Sequence, residues 1–361
     1  MKKIIVFGLT ENIGGIETFY MSYYRNLNLK KYQIDFVVVG DTIAFQNEII
    51  ARGSKIYQFP NFKRHPMKYI KKLKKLLKYN KYDIVHVNML SAANILPLKI
   101  ASKLNVPKVI AHSHNNGIPK GFIRSIMHNV NKSKLNKYAN VFLACSDSAG
   151  KWMFGENSDF IVLNNAIEIK KFEYEEHYRE ELRKKYKISS GAFIIGHIGR
   201  FCEQKNQDFL LDIYIDYLKI NSKSKLFLIG DGKDKEKYKN ILKEKEITDS
   251  VILLDNKEDV YRYYSAFDLF VLPSKFEGLG IVAVEAQANG LPCLLSDILP
   301  PIVKINNNVT FLSISDKDTW VKNIDCIYKK GFKRDDSKKI YKSNFNISKQ
   351  VAYLEKIYGG D

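Results

Sequence analysis

The chain has 361 residues, of which 45% are hydrophobic and 12% aromatic, and its formal net charge at pH 7 is +19. This composition excludes a disordered chain, and the length favours two domains over a single hydrophobic core. The positive charge favours an acidic partner, which can be a nucleic acid, an anionic membrane surface or a phosphorylated substrate.

The apolar segments of the sequence are short. None approaches the roughly 20 residues that a membrane span needs, and the first is too short for the hydrophobic part of a signal peptide. We therefore expect a cytoplasmic protein. The cysteines lack the CxxC spacing of metal sites and are expected to be reduced, buried thiols; they are Cys145, Cys202, Cys293 and Cys326.

Short Val/Ile-rich segments alternate with helical patterns along both halves of the chain. This alternation predicts an α/β protein with two Rossmann-like lobes, each built on a parallel, doubly wound sheet, joined near residues 164–171. The predicted strands of the first half are residues 3–7, 34–39, 54–58, 84–87, 108–111 and 141–144. Those of the second half are residues 193–198, 225–229, 251–254, 269–272, 292–296 and 310–312.

Paired glycines follow the first predicted strand. Gly14 and Gly15 lie in the loop before the next helix, and glycines there let the backbone approach a ligand closely. The spacing is not that of GxGxxG, so it is not a dinucleotide-binding fingerprint. A plain turn at the start of a helix is the alternative.

Charged residues follow two predicted strands of the second half. Arg200 and Lys205 come after residues 193–198, whereas Glu277 and Glu285 come after residues 269–272. Open α/β sheets bind ligands at the carboxyl ends of their strands, and a guanidinium with an ammonium can neutralise a diphosphate. Solvated surface charges are the alternative, and the two acids by themselves also fit a hydrolytic acid/base pair.

His112 and His114 lie at the end of a predicted strand, two residues apart and therefore on one face of it. As neutral donors they can bind a substrate hydroxyl or a phosphate. A structural pair is the alternative, and a metal site is disfavoured because HxH lacks an evident third ligand.

Two segments combine basic residues with an apolar face. For residues 69–79, which have the period of an amphipathic helix, the alternatives are a solvated face over core packing, a membrane-surface contact and nucleic-acid binding. A second such patch, in residues 118–138, favours the membrane contact. The apolar residues are Ile70, Leu73, Leu76 and Leu77 in the first segment and Phe122, Ile123, Ile126 and Met127 in the second. The basic residues are Lys71, Lys72, Lys74, Lys75 and Lys78 in the first and Lys120, Arg124, Lys132, Lys134 and Lys137 in the second.

Taken together, these motifs resemble glycosyltransferase family 4, a group of retaining, nucleotide-sugar-dependent enzymes with the GT-B fold. The resemblance extends in order over nearly the whole chain, and its character is closest to enzymes that build bacterial capsular polysaccharide or exopolysaccharide. The residues that carry it are Gly14-Gly15-Ile16-Glu17, Gly199-Arg200, Lys205-Asn206, Gly230-Asp231-Gly232, Glu277 and Glu285, with the AHSHN segment at residues 111–115.

The resemblance implies a domain plan and a set of roles. Residues 1–168 would form the acceptor lobe, residues 169–344 the donor lobe, and residues 345–361 a tail that crosses back to the first lobe, with the two sheets facing a central crevice. The residues implied in catalysis are Arg200 and Lys205 on the diphosphate, Glu277 on the transferred sugar and His114 beside it. Those implied in donor binding are Gly14, Gly15, Arg200, Lys205, Gly230, Gly278, Leu279, Gly280 and Glu285, the last on the ribose. Those implied near the sugar or acceptor are Glu17, His112 and Asn115.

The resemblance also implies the reaction. It would be a retaining hexosyltransferase that uses a UDP-sugar and a glycan or lipid-linked acceptor, with no cofactor and no metal, on the inner face of the cell membrane. A front-face mechanism is expected, so Glu277 would position the sugar and not act as a nucleophile. The DxD match at Asp316 and Asp318 precedes a predicted helix and is interpreted as a helix cap.

Two departures from the family pattern and two competing hypotheses accompany this interpretation. Asp255-Asn256 stands where the family often has glycine, and residues 298–308 replace a Gly-rich turn.

A non-catalytic nucleotide-sugar-binding or structural GT-B protein is the main alternative. A nucleic-acid binder is supported by charge alone, and no recognition motif accompanies it.

Overall fold

The chain folds into two α/β units, the first formed by Met1–Ala166 with Ile347–Asp361 and the second by Ile167–Asn346. The computed structural model describes residues 1–115, 117, 121–336 and 338–359. Each unit contains one parallel sheet with helices on both faces. The predicted fold class of two Rossmann-like units is therefore confirmed.

Among the described residues, the sheet of the first unit has seven parallel strands in the order β3-β2-β1-β4-β5-β6-β7. The strands are β1 (Lys2–Phe7), β2 (Tyr32–Val39), β3 (Ile56–Phe59), β4 (Ile84–Met89), β5 (Lys108–Ser113), β6 (Val141–Ala144) and β7 (Ile161–Val162). The helices are α1 (Gly15–Asn26), α2 (Gln46–Ala51), α3 (Pro66–Asn80), α4 (Leu96–Lys103), α5 (Phe122–Lys132), α6 (Leu135–Tyr138) and α7 (Asp147–Phe154). The first unit also contains α16 (Ile347–Gly359).

The two faces of this sheet carry separate hydrophobic cores. One core contains residues of α1, α2 and α16, and the other contains residues of α3, α4 and α6. On α16, the buried hydrophobic residues Ile347, Val351, Leu354 and Tyr358 recur at the three- to four-residue spacing of one helical face. The C-terminal segment is therefore part of the core of the first unit.

In the part of the chain that the structure describes, the second sheet has six parallel strands in the order β10-β9-β8-β11-β12-β13. Its strands are β8 (Ile194–Ile198), β9 (Lys225–Ile229), β10 (Val251–Leu254), β11 (Leu269–Leu272), β12 (Cys293–Ser296) and β13 (Val309–Leu312). The helices of this unit are α8 (Ile169–Phe172), α9 (Glu176–Lys185), α10 (Gln207–Ile220), α11 (Lys235–Glu244), α12 (Val260–Ala266), α13 (Ile281–Ala288), α14 (Lys317–Lys329) and α15 (Lys339–Lys342). Short 3₁₀ turns lie at Glu203–Lys205 and Pro301–Val303.

The cysteines agree with the sequence prediction only in part. All four are free thiols, which agrees with the expected reduced state. The expectation of burial holds for Cys293, whereas Cys145 and Cys202 are half-buried and Cys326 is exposed. Cys326 lies on α14, an amphipathic helix whose buried residues are Trp320 and Ile324, so its position in the helical period places it outside the core.

Candidate functional site

Both sheets have a topological switch point, and the predicted site residues lie at these points. The strand order reverses between β1 and β4 in the first sheet and between β8 and β11 in the second. Because the strands are parallel, their carboxyl ends lie at one edge, and the loops leaving neighbouring strands in opposite directions form a crevice there. The segments that follow β1, β5, β8, β9 and β11 carry most of the residues singled out in the sequence.

In the second unit, Lys205 and Glu277 form an ion pair. Lys205 Nζ lies 2.5 Å from Glu277 Oε1, and the two side chains are 14% and 6% exposed. Ser274 Oγ donates to the same carboxylate oxygen at 2.9 Å, and Gln204 Nε2 lies 3.5 Å from Oε2. Both carboxylate oxygens of Glu277 are therefore engaged by donors of the protein.

Asn206 holds the Lys205 loop against the turn that follows β11. Its backbone has φ +57°, and its Nδ2 donates to the carbonyl of Pro273 at 3.1 Å. The backbone N–H of Lys275 donates to the carbonyl of Gln204 at 2.9 Å. These bonds join the loops of two neighbouring strands, which explains why Lys205 and Glu277 meet despite their separation in sequence.

Arg200 lines a cavity of about 310 Å³ at the carboxyl ends of β8, β9 and β10. Its side chain is exposed and has no ion pair with any residue that the structure describes. The loop is fixed instead through the backbone, since Gln207 Nε2 donates to the Arg200 carbonyl at 2.9 Å. Asn256 and Lys257, which follow β10, line the same cavity together with Asp231, so an arginine without an ion pair in the described structure borders a cavity with several polar residues.

Two glycines in this unit are required by close packing or backbone conformation. A Cβ at Gly230 would lie 2.1 Å from the Gly199 carbonyl oxygen, so only glycine lets the loops after β8 and β9 touch. Gly280 has φ +74° and precedes α13, where a side chain would also meet Leu299. Gly278 is open to solvent space, whereas Leu279 packs against the core. The backbone N–H groups of the first turn of α13 can bind an anion.

Glu285 lies on α13 and is hydrogen-bonded by Tyr264, whose hydroxyl donates to Glu285 Oε2 at 2.7 Å. Burial raises the pKa of Glu285 to about 7, and it outweighs the Tyr264 hydrogen bond and the nearby ammonium groups of Lys171 and Lys205, which lower it. The carboxyl group therefore titrates near neutrality and can accept a hydrogen bond from a ligand hydroxyl when ionised.

In the first unit, a cavity of about 290 Å³ lies at the carboxyl end of β1. Gly14, Gly15, Glu17 and His114 line it, so four predicted residues meet there. Asn115 is the residue after His114, and its Nδ2 donates to the carbonyls of Leu90 and Gly117. The structure thus places Asn115 in a loop contact beside the cavity.

Glu17 holds the glycine loop in place. Its Oε1 accepts hydrogen bonds from the backbone N–H and hydroxyl of Thr10, at 2.8 and 2.9 Å, and its Oε2 accepts from the N–H of Gly14 at 3.1 Å. The side chain is buried. These bonds give Glu17 a role in supporting the glycine loop, and because Glu17 also lines the cavity, its predicted contact with sugar or acceptor stays a prediction.

The two histidines of the HxH segment have different surroundings. His114 lines the cavity, and its Nε2 lies 2.8 Å from Asn88 Oδ1. His112 is fully buried, and its Nδ1 lies 3.0 Å from His86 Nε2. Burial lowers the pKa of His114 to about 3 and places that of His112 well below its ordinary value, so both rings are neutral near pH 7.

The acidic DxD match serves the helix that follows it. Asp316 is the N-cap of α14, and its Oδ1 accepts from the Thr319 N–H at 3.1 Å, which confirms the predicted helix cap. Within the described ranges, no group of three or more His, Cys, Asp or Glu side chains is arranged to hold a metal ion.

Sequence reasoning missed three polar residues that shape these sites. Ser274 binds Glu277, Tyr264 binds Glu285 and Asn88 binds His114. Ser274 comes two residues after the end of the predicted strand 269–272, which was an available signal. Tyr264 and Asn88 are brought in by other elements and carry no local sequence signal.

Two families match the chain in sequence order. Residues 13–170 match the family described as Glycosyltransferase Family 4, and residues 178–344 match the one described as Glycosyl transferases group 1. Each match coincides with most of one sheet and its helices. Arg200 and Glu285 lie in the second match, and His114 lies in the first.

Individual proteins resemble the chain over most of its length. The protein named "Putative glycosyltransferase EpsF" of Bacillus subtilis (strain 168) is 30% identical over 324 residues, which are 87% of this chain and 84% of EpsF. The UDP-Gal:alpha-D-GlcNAc-diphosphoundecaprenol alpha-1,3-galactosyltransferase of Escherichia coli is 28% identical over 64% of this chain and 62% of its own.

Solved structures share the fold. Anabaena Alr3699/HepE in complex with UDP covers 100% of both chains with a TM-score of 0.80 at 16% identity, and its complex with UDP-glucose gives a TM-score of 0.72 at 18% identity over 99% of this chain and 100% of that one. Likeness at this identity bears on architecture, and it confirms the GT-B fold predicted from the sequence.

Proposed function

This chain belongs to glycosyltransferase family 4, and we propose that it is a retaining enzyme that transfers a sugar from a UDP-sugar to a lipid-linked or glycan acceptor in the synthesis of a bacterial surface polysaccharide. The names of the relatives support the donor and acceptor classes. The E. coli relative is named for UDP-Gal and a diphosphoundecaprenol-linked acceptor, and HepE was solved with UDP and UDP-glucose. EpsF supports the glycosyltransferase assignment over the greater length.

The observation that carries the proposal is the set of groups at the β8/β11 switch point. Arg200 is unpaired in the described structure, Lys205 is enclosed beside Glu277, and Glu285 titrates near neutrality on the adjacent helix. A UDP-sugar presents a diphosphate, ribose hydroxyls and sugar hydroxyls. The cations Arg200 and Lys205 match the diphosphate, Glu285 matches the ribose hydroxyls and Glu277 matches the hydroxyls of the sugar.

The proposed reaction breaks the bond between the anomeric carbon and the diphosphate oxygen. The electron pair of that bond leaves with UDP, and the acceptor oxygen forms the new glycosidic bond on the same face. The acceptor proton passes to the departing phosphate oxygen, so atoms and charge balance without a protein nucleophile. Arg200 and Lys205 stabilise the negative charge that develops on the leaving group, and no metal is required for that stabilisation.

The surroundings of Glu277 support its role as a positioning group. Its oxygens already accept from Lys205, Ser274 and Gln204, and a carboxylate bound in this way is a weak nucleophile. A covalent glycosyl-enzyme on Glu277, trapped in the wild type, would contradict this part of the proposal.

Helix α5 supports a contact with an anionic membrane. At about 100° per residue, its apolar residues span about 140° of the helix surface, and all of them are exposed, with Phe122 at 81% and Ile123 at 74%. The other members of this exposed face are Ile126, Met127 and Val130. The helix therefore presents its apolar side outward.

The opposite, polar side of α5 holds the helix to the first unit. His128 is the buried residue of this helix, and its ring stacks on Trp152 with centroids 4.4 Å apart. His128 Nδ1 accepts from the Ala92 N–H at 3.0 Å, and Asn131 Nδ2 donates to the Ala92 carbonyl at 3.0 Å. Arg124 on α5 and Lys134 and Lys137 after its end are exposed and add positive charge to this part of the first unit, a combination suited to an anionic bilayer surface.

The two basic segments noted in the sequence thus have different structures. In α3, Leu73, Leu76 and Leu77 are buried in the core, and the exposed surface carries the lysines. The apolar face of α3 is therefore used in folding, while its lysines remain available for electrostatic attraction. Ile118 and Lys120 of the second segment lie outside the described residues. Among the described residues, no helix is both long and apolar enough to cross a bilayer.

The experiment that tests the activity is a donor and acceptor screen with purified protein. UDP-glucose, UDP-galactose and their N-acetylamino forms are tested for thermal stabilisation and for UDP release with an undecaprenyl-diphosphate-linked sugar in anionic vesicles. A ligand at about 100 times its Kd should stabilise the fold by about 2.7 kcal/mol. Stabilisation without hydrolysis or transfer by any donor would favour a non-catalytic nucleotide-sugar-binding protein instead.

A further inference from the structure

Asn88 is buried near the end of β4, between the last residue of β1 and the cavity histidine. Its Nδ2 donates to the carbonyl of Phe7 at 3.1 Å, and its Oδ1 lies 2.8 Å from His114 Nε2. The carbonyl of Phe7 can only accept, so the amide orientation is fixed with Oδ1 toward the imidazole. An amide oxygen can only accept in turn, and His114 Nε2 must therefore carry the proton.

The tautomer of His114 determines which kind of group its free nitrogen can bind. A neutral imidazole has one N–H, and burial keeps this ring neutral. With the proton on Nε2, Nδ1 carries a lone pair and acts as a hydrogen-bond acceptor. Nδ1 has no hydrogen-bond partner among the described residues. It is also not fully buried, since it is absent from the buried nitrogens that lack a partner.

We propose that Asn88 is a positioning residue that holds His114 in the Nε2–H form, so that the cavity of the first unit offers an acceptor and selects a substrate hydroxyl over a phosphate oxygen. This inference rests on the proposed function for the identity of the substrate. It differs from the sequence prediction, in which the histidines were considered as donors to either group. The Nδ1 lone pair accepts from an O–H, whereas a phosphate oxygen facing it would be repelled.

Packing around His114 leaves the ring little freedom to rotate away from Asn88. The Phe19 ring meets it edge-on with centroids 4.9 Å apart, and the His112 ring lies 4.1 Å from it. Gly8 adds to this arrangement, because a Cβ there would lie 2.1 Å from the Asn88 carbonyl oxygen. The loop after β1, Asn88 and His114 are thus held in one packed group.

The direct test measures the tautomer by NMR of protein labelled with ¹⁵N-histidine, with the His114→Gln variant identifying the signals. Between pH 5 and 8, we expect a protonated, pyrrole-like Nε2 and an unprotonated Nδ1 in the wild type. In Asn88→Leu the two tautomers should mix. Asn140→Leu is the matched control, since Asn140 also bonds two backbone groups, of Val109 and Pro107, at the other end of β5. A proton on Nδ1 in the wild type, or unchanged His114 signals in Asn88→Leu, would overturn the proposal.

The kinetic test uses the UDP-sugar that the wild type turns over and its monodeoxyfluoro analogues, since fluorine cannot donate a hydrogen bond. One analogue should lose about tenfold in kcat/KM with the wild type, and the same analogue should show no such loss with Asn88→Leu. Asn88→Asp retains the acceptor but places a negative charge beside the ring, which raises the His114 pKa and should create a new acidic limb in the pH profile. Equal losses for all analogues in both proteins would contradict the inference. Absence of transfer by the wild type would instead contradict the proposed function and leave the NMR result standing.

Discussion

Lys205 Nζ lies 2.5 Å from Glu277 Oε1, and this pair is almost enclosed at the β8/β11 switch point. A diphosphate that binds Lys205 must therefore share the ammonium with a carboxylate that is already in contact. The electrostatic attraction available to the donor is smaller than two free cations would give. Binding and turnover should consequently respond differently to substitutions of the two partners.

We expect Glu277→Gln to leave UDP affinity unchanged or raise it, because Lys205 is released from its anionic partner. Turnover of the UDP-sugar should fall about 10²- to 10³-fold, since both the sugar contact and the placement of Lys205 are altered. Calorimetric titration with UDP and steady-state UDP release measure the two effects. The exposed pair Lys275–Glu203 provides the control, and Lys275→Met should change neither quantity. A parallel loss of UDP binding and turnover in Glu277→Gln would contradict the assignment.

The Glu285 carboxyl predicts a pH-dependent affinity. Its pKa of about 7 leaves it about one-tenth ionised at pH 6 and largely ionised at pH 8. An ionised carboxylate accepts more strongly from ribose hydroxyls, so UDP-glucose should bind up to about tenfold more tightly at pH 8 than at pH 6. The diphosphate diester of this probe does not titrate in that range. Glu285→Gln should bind UDP-glucose with the same affinity at both pH values. A wild-type affinity that falls as the pH rises would contradict the predicted direction of the effect.

The same group predicts a change in stability with pH. Since the folded-state pKa lies above the ordinary 4.5, the favourable contribution of the protonated form is complete below about pH 4.5 and is lost as the pH rises through 7. Glu285→Gln cannot ionise, so its free energy of unfolding relative to the wild type should increase across this window by up to about 3 kcal/mol. Urea unfolding at pH 5 and pH 8 measures the difference. A constant offset between the two proteins would show that Glu285 does not titrate as proposed.

Helix α5 should control binding to vesicles. Phe122→Ser with Ile123→Ser removes the two most exposed apolar side chains of its outer face, and each large side chain contributes roughly 1.5–3 kcal/mol when fully buried. Sedimentation with phosphatidylglycerol vesicles should show at least a tenfold loss of binding. Ile220→Ser, an exposed isoleucine of the second unit, is the matched control.

Charge reversal on α3 distinguishes electrostatic attraction to the vesicle surface from insertion of the apolar face of α5. Replacing Lys71, Lys72, Lys74 and Lys75 by glutamate should weaken vesicle binding at low salt and have less effect at high salt, because the α3 lysines act electrostatically. Unchanged binding in both the α5 and the α3 variants would remove the membrane contact from the proposal.

Tyr358 connects α16 to a buried polar chain in the first unit. Its hydroxyl lies 3.1 Å from that of Tyr20 and 2.8 Å from His86 Nδ1. Tyr358→Phe leaves both groups without this partner and should destabilise the first unit by about 1–3 kcal/mol. Calorimetry should show a lower melting temperature for the transition of that unit. Tyr353→Phe, on the exposed side of the same helix, should have no measurable effect.

The strands and their order along the chain could be predicted because a parallel sheet requires buried, β-branched runs. Each predicted strand is present, with ends that differ by at most two residues. The strand β7 (Ile161–Val162) was missed because two residues are too few to show a periodicity. Its position is determined by pairing with β6, which is a tertiary effect.

The candidate site could be predicted where a charged residue comes within two residues of the end of a strand, as Arg200 does. The side of a helix that packs against the core was harder to predict from the sequence. Because of its many lysines, α3 was as strong a candidate for a membrane contact as α5. Its apolar residue Leu73 is buried, however, whereas Phe122 of α5 is exposed. Periodicity shows that an apolar face exists, but the partner of that face is set by elements distant in sequence. The same reason hides Asn88 and Tyr264, whose partners follow other strands.

The two-part composition of the first unit has a consequence during protein synthesis. The ribosome produces residues 167–346 before α16, although Leu354 and Tyr358 of α16 complete the core that begins with β1. The nascent first unit must therefore wait, with the α16-binding surface of α1 uncovered, while the second unit emerges and folds. We expect stalled nascent chains ending at residue 346 to bind hydrophobic-surface chaperones more strongly than chains that include α16. Protease sensitivity of β1 and α1 in the two chains would measure the difference.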